Sequence, residues 1–200
     1  YTTEANASRR AAYLVAASDL LLVHLNDMVT EWNPGTSGNY RATFLSLDPD
    51  QALRNMLTAI GTLAKSELAV ERMFVAVNNQ NQEDEHSCFS DNTHRDIITN
   101  AQGVANVYRG SYTRTNGSTV SGASIADLVE EVDETAANDT EALLSAALQS
   151  VNAIPVPFDR AIIDSQQDVL DSVDALQSLG DSFVVAATAL GISINTDLPE

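Results

Sequence analysis

The chain has 200 residues, 44% of them hydrophobic, with 28 acidic side chains against 10 basic ones and a formal charge of −18. That balance argues against nucleic acid as a partner, because phosphate binding needs a basic face and this surface repels a polyanion. The apolar share suffices for a core, so the acidity marks an acidic skin on a folded domain, not disorder.

The charge is uneven along the chain. Residues 1–115 hold nine basic and thirteen acidic side chains, whereas residues 116–200 hold one basic residue, Arg160, and fifteen acidic ones. The second stretch reads as a solvated face. Cys88 is the only cysteine, so no internal disulfide forms. The most apolar run, Phe183–Leu190, is far shorter than the roughly 20 residues a bilayer requires, and no transmembrane segment is expected. The chain opens at Tyr1, already in helical pattern, which reads as a fragment or a processed chain without a visible signal peptide.

In chain order, the pattern predicts a helix over 4–32, where Leu14, Ala17, Leu21, Leu25, Met28 and Trp32 recur at three- and four-residue steps. Asn33-Pro34-Gly35 ends it and opens a turn-rich loop. Asp48-Pro49 supplies a cap and a first-turn proline for a second helix over 49–77. A polar loop leads to a third helix over 93–112, with Ile97, Ala101, Val104, Ala105 and Tyr108 on one face. Beyond a Gly-bounded linker come two shorter helices, 124–132 and 139–153, then the Pro155/Pro157 break and a long helix over 159–190. Nothing alternates with period two for long enough to form a sheet. The expected architecture is all-α: one antiparallel bundle domain over 1–200, of about four long helices and one or two short ones, each burying one apolar stripe.

The second helix carries the first chemical signal. At about 100° per residue, Glu67 and Glu71 fall on the stripe set by Leu53, Leu57, Ile60, Ala64 and Leu68. Two carboxylates on an apolar face must be paired, metal-bound, protonated or exposed. An ion pair with an arginine is the plain alternative to a site. The residues three beyond them are Val70 and Phe74, so the Glu-x-x-His of a di-iron bundle is missing. The loop that follows is the second signal. Between Gln82 and Asp96 it brings carboxylate, imidazole and thiol together, which makes Glu85, His86, Asp91 and His94 candidate ligands for iron or another divalent metal. Thr93 and Asp96 have the spacing of a capping box, and His94 and His24 have plain readings as buried, hydrogen-bonded histidines. Cys88 lies near His86, but no nucleophile turn accompanies it.

The run Glu-Asp-Glu-His-Ser-Cys-Phe-Ser-Asp-Asn-Thr-His-Arg-Asp over 83–96 resembles the imelysin-like family, in particular its iron-regulated protein A branch. Asn100-Ala101-Gln102-Gly103, Asn106-Val107-Tyr108, the stretch from Glu67 to Met73, Asn39-Tyr40-Arg41 and Ala187–Gly191 agree with it. The resemblance implies an all-helical protein of two bundle-like halves in the periplasm or at the outer membrane or cell surface of a bacterium, often a lipoprotein, associated with iron acquisition. Its members are classed as metallopeptidases by a Gly-x-His-x-x-Glu motif of the N-terminal half. None of His24, His86 and His94 is followed by Glu at that spacing, so this chain resembles the C-terminal half. The missing half is then an expected partner, alongside iron, haem or cell-envelope uptake proteins. The resemblance points to Glu67, Glu71, Arg72 and the loop residues Cys88, Ser90 and Asn92 as lining a ligand site, with no catalytic residue of this chain. Three functions follow as expectations: iron or haem handling, a metallopeptidase completed by the other half, and a non-catalytic interaction module.

Overall fold

A computed structural model describes residues 3–198. The chain is all-α, with helices packed as a bundle and a single small hairpin among the described residues. It forms two compact units, residues 1–52 and 53–200.

The first unit is a helical hook. Helix α1 spans Ala7–Trp32 and α2 spans Tyr40–Leu45. Asn39 fixes the turn between them. Its side-chain oxygen accepts from the Ala42 amide at 3.0 Å, capping α2, while its Nδ2 donates to the carbonyls of Thr30 and Asn33 at the end of α1. Glu31 accepts from the Tyr40 amide at 2.7 Å, and Trp32, Tyr40 and Phe44 stack with ring centroids 5.3–6.3 Å apart. No residue of α1 is buried. By length and composition alone α1 is also apolar enough to cross a bilayer, although Asp19, His24 and Asp27 interrupt its apolar run.

The second unit is built on one continuous helical rod of three windings. Helix α3 (Pro49–Thr62) passes into a π-helical stretch, Leu63–Phe74, and returns to α-helix as α4 (Val75–Asn79). Against the rod pack α5 (Thr93–Tyr108), α7 (Glu134–Ala153) and α9 (Gln166–Ala189), with α6 (Ile125–Val132) and α8 (Phe158–Asp164) as short connectors. Phe183 and Tyr108, both fully buried and 5.4 Å apart between ring centroids, lie in the core with Leu68, Met73, Leu144 and Leu176.

Several expected boundaries move for local reasons. The helix expected over 159–190 is broken at Ser165, whose backbone leaves the helical region (φ −138°, ψ 42°), although the apolar spacing runs straight through. The helix expected from 139 begins at Glu134, because Asp133 accepts from the Ala136 amide and caps it five residues earlier. The linker after α5 contains β1 (Ser111–Thr113) paired antiparallel with β2 (Thr119–Ser121), too short to register as alternation. Gly110, in the left-handed region at φ 56°, lets the chain turn there, since a Cβ would lie 2.7 Å from the Ala123 carbonyl oxygen.

Candidate functional site

The π-helical stretch rearranges the first candidate group. A π-helix winds more than four residues per turn, and the buried residues of this stretch are Ala64, Ser66, Leu68, Ala69 and Met73, with neither glutamate among them. The α-helical wheel therefore misplaces Glu71, which is exposed, and Glu67, which is half-buried. Arg72 reaches back with Nη2 at 3.4 Å from Glu67 Oε2, within a half-exposed ion pair. The proposed buried pair of carboxylates is thus an exposed side chain and a surface ion pair, and the burial argument for a site there fails. Glu67 does line an open cleft of about 580 Å³ with Thr58, Thr62, Asn195 and Asp197.

One wall of that cleft is the segment after α9. Ser66 donates to the Thr196 carbonyl at 2.9 Å, and Arg54 donates to the Ser193 carbonyl at 3.1 Å. The Lys65 ammonium lies 3.0 Å from Asp181 and 2.9 Å from Asp197. Those hydrogen bonds, Asp197's first and Asp181's second, raise the pKa of Lys65 against a smaller opposing effect of burial. Lys65 is thereby held as a structural cation.

The 82–92 loop is a folded object. A 3-10 turn, Gln82–Asp84, is tied down by Asn79 and Asn81, which both donate to Asp84 Oδ2. Gln82 donates to Asp91 at 3.0 Å across the loop, and Asp91 adopts a left-handed backbone at φ 50°. The expected capping box does not form. Thr93 lies inside the helix and its hydroxyl accepts the Ser87 amide at 3.1 Å, while Asp96 takes the Ser87 hydroxyl and, at 3.5 Å, the Asn92 side chain. These residues staple the loop to the head of α5.

That staple decides which candidates point outward. His86, Ser90, Asp91 and Asn92 are exposed, Cys88 is half-buried, and Phe89 is 94% exposed. His94 is half-buried, with Nδ1 enclosed and lacking a hydrogen-bond partner. Glu85 alone is buried, at 7% exposure, and its Oε1 has no hydrogen-bond partner. Burial raises its pKa, the Thr93 hydroxyl opposes this, and the charges of Asp159 and Asp91 add to it. Asp159, in the first turn of α8, has an enclosed Oδ1 that is also unpartnered. Sequence reasoning missed Asp159, because an acidic residue in a first helical turn is ordinarily a partner of the helix dipole. Among the described residues no three His, Cys, Asp or Glu side chains come together as a metal centre.

These features define a helical-bundle protein with a stapled polar loop, a buried Glu85 carboxyl with an unpartnered oxygen, and a half-buried Asp159 whose charge acts on it. The family model of imelysin, a peptidase family by name, matches residues 2–183, and the chain belongs to that family. No curated protein matches the chain.

Proposed function

We propose that this imelysin-family chain is an exported protein of iron or haem handling, with Glu85 and Asp159 offered to a metal-bearing cargo beneath the 82–92 loop. One observation carries the reading: Glu85 Oε1 and Asp159 Oδ1 are enclosed carboxylate oxygens from separate elements, neither with a hydrogen-bond partner. Leaving such oxygens unmatched costs about 1–3 kcal/mol each, more if charged, and a bound cation would relieve that cost. Carboxylate oxygens suit iron(II), manganese and other hard or borderline divalent ions. With no group of three His, Cys, Asp or Glu gathered among the described residues, the two carboxylates furnish part of a coordination shell, and the cargo or water furnishes the rest. The acidic skin suits a protein working in the periplasm or at the cell surface, where it also concentrates cations. The peptidase reading draws on the family's name.

Calorimetric titration and thermal unfolding at pH 7 with iron(II), manganese(II), zinc(II) and haem test the proposal. The expected result is saturable binding of one divalent ion per chain with a rise in Tm, lost in Glu85→Gln and in Asp159→Asn. No binding of any of these, together with a higher Tm for Glu85→Gln than for the parent, would mean that the pair is relieved by a proton, and the metal reading would fall.

A further inference from the structure

Helices α7 and α9 present the same short pattern to one another. Ser150 near the end of α7 meets Ser172 near the start of α9, Oγ to Oγ 2.7 Å, and Asp133 before α7 shares a hollow with Val184 and Thr188 near the end of α9. The two helices therefore run antiparallel, and Thr140 and Ser182, equally far along them from the serine contact, fall opposite one another. Each hydroxyl residue directly follows an aspartate and is followed three positions on by an aliphatic side chain: Asp139, Thr140 and Leu143 on α7, and Asp181, Ser182 and Val185 on α9. All six line one groove of about 350 Å³, a volume at the lower end of small-molecule sites.

The floor of the groove is polar and buried. Thr140 is 1% exposed and Ser182 7% exposed, and Ser182 donates its hydrogen to the Leu179 carbonyl at 2.7 Å, which leaves its oxygen to accept. The fully buried Tyr108 lies against Thr140 from the core side, with its hydroxyl oxygen enclosed and lacking a hydrogen-bond partner. A ligand that donates to the Thr140 oxygen leaves the threonine hydrogen to turn toward Tyr108. The rim carries Asp139 and Asp181, both exposed. Lys65 Nζ lies 3.0 Å from Asp181 Oδ1, whereas Asp139 has no ion-pair partner among the described residues. Between them α7 and α9 hold seven acidic side chains and no basic one. The site thus sets hydroxyl acceptors below, carboxylates above and the aliphatic Leu143 and Val185 at its ends. What matches all three is a positive charge with several N–H donors on a methylene stem, an alkylammonium. A hydrated metal ion gains nothing from the aliphatic ends, and an anion is repelled.

We infer that the groove between α7 and α9 binds a small aliphatic primary amine in its ammonium form. The inference is independent of Glu85 and Asp159. Titration of the full chain with n-pentylamine at pH 7, followed through backbone amide chemical shifts, tests it. The expected result is saturable binding of one amine per chain, with a Kd of about 1 mM or tighter, and shifts concentrated on the facing turns of α7 and α9. Neither n-pentanol, which keeps the stem without the charge, nor magnesium chloride at equal ionic strength, which keeps the charge without the stem, reproduces those shifts. Asp139→Asn weakens binding roughly fivefold, and Val185→Lys, which sets a tethered ammonium in the groove from an exposed position, abolishes it. Glu85→Gln leaves binding unchanged. Circular dichroism verifies that each variant is folded. The absence of saturable shifts, shifts spread over the whole acidic surface, shifts that n-pentanol or magnesium reproduces, or binding that survives Val185→Lys would each overturn the inference.

Discussion

The crossing of α9 over the rod at Gly180 makes the most direct test of the packing. A Cβ built on Gly180 would lie 2.4 Å from Lys65 Cβ, 3.1 Å from Lys65 Cα and 3.1 Å from the Gly61 carbonyl oxygen. Carbon atoms rest at about 3.5–4.0 Å, so Gly180→Ala requires the helices to part by about 1 Å or more. The opposing atoms are backbone or the first side-chain carbon, and no rotamer change moves them aside. Overpacking of this kind costs about 1–3 kcal/mol, against which alanine returns up to about 1 kcal/mol in helix propensity. The net expectation is a loss of about 1–2 kcal/mol, or a Tm lower by roughly 2–8 °C for a chain of this size. Gly103→Ala is the matched control. It lies within α5 with nothing inside 4 Å of the added carbon, and should gain up to about 1 kcal/mol. Thermal and urea unfolding of both variants, with association state checked, measures the difference. A Gly180→Ala protein as stable as its parent would refute the close approach of α9 to the rod.

Two further predictions rest on single side chains. Because the pKa of Glu85 is raised in the folded protein, the native state binds more protons than the unfolded chain, and stability falls as pH rises from the ordinary carboxylate range through the folded-state value. In metal-free buffer, Glu85→Gln should therefore be more stable than the parent at neutral pH, with the advantage vanishing as pH drops below the unfolded pKa; an advantage that persists unchanged into acid would contradict the assignment. Ser124 caps α6 by accepting the Asp127 amide at 2.9 Å, so Ser124→Ala should cost about 1 kcal/mol in urea unfolding and Ser124→Asp much less.

The bundle was legible because its signals are local. Asp48-Pro49 before α3, Ser124 before α6 and the three- and four-residue steps of α5 each act within a turn or two, and each helix starts where those signals put it, although α5 ends at Tyr108, short of the expected 112, where Gly110 turns the chain into β1. What escaped depends on distance or on an unusual winding. The π-helical stretch uses good helix formers, so nothing in Lys65-Ser66-Glu67-Leu68 announces i to i+5 bonding, and the extra angle per turn carries Glu71 off the buried face. The break at Ser165 interrupts an apolar period that still reads as one helix. In the loop, ligand chemistry was visible as composition, but burial divided it. Glu85 was retained inside, His86 and Asp91 turned outward, and Asp159 arrived from about seventy positions away in the chain, where no spacing rule reaches.

The π-helical winding also gives a reason for the strand of contacts along the cleft. Lys65 and Ser66, within the π-helical turn at Leu63–Phe74, both reach the segment after α9, through Asp197 and the Thr196 carbonyl, while Lys65 also pairs with Asp181 on α9 itself. Gly61 completes the fit from the preceding α-helical turn, since a Cβ on it would lie 2.4 Å from Thr196 Cγ2. Three neighbouring features, a missing side chain, a hydroxyl and an ammonium, therefore converge on Thr196 and Asp197 of a non-helical tail. Exposed ion pairs contribute little alone, about 0–1 kcal/mol, so Lys65 serves mainly to fix the direction of a tail whose anchoring comes from the buried Thr196 and Ile192. The cleft holding Glu67 has its shape because a rare helical winding and a close-packed tail require each other.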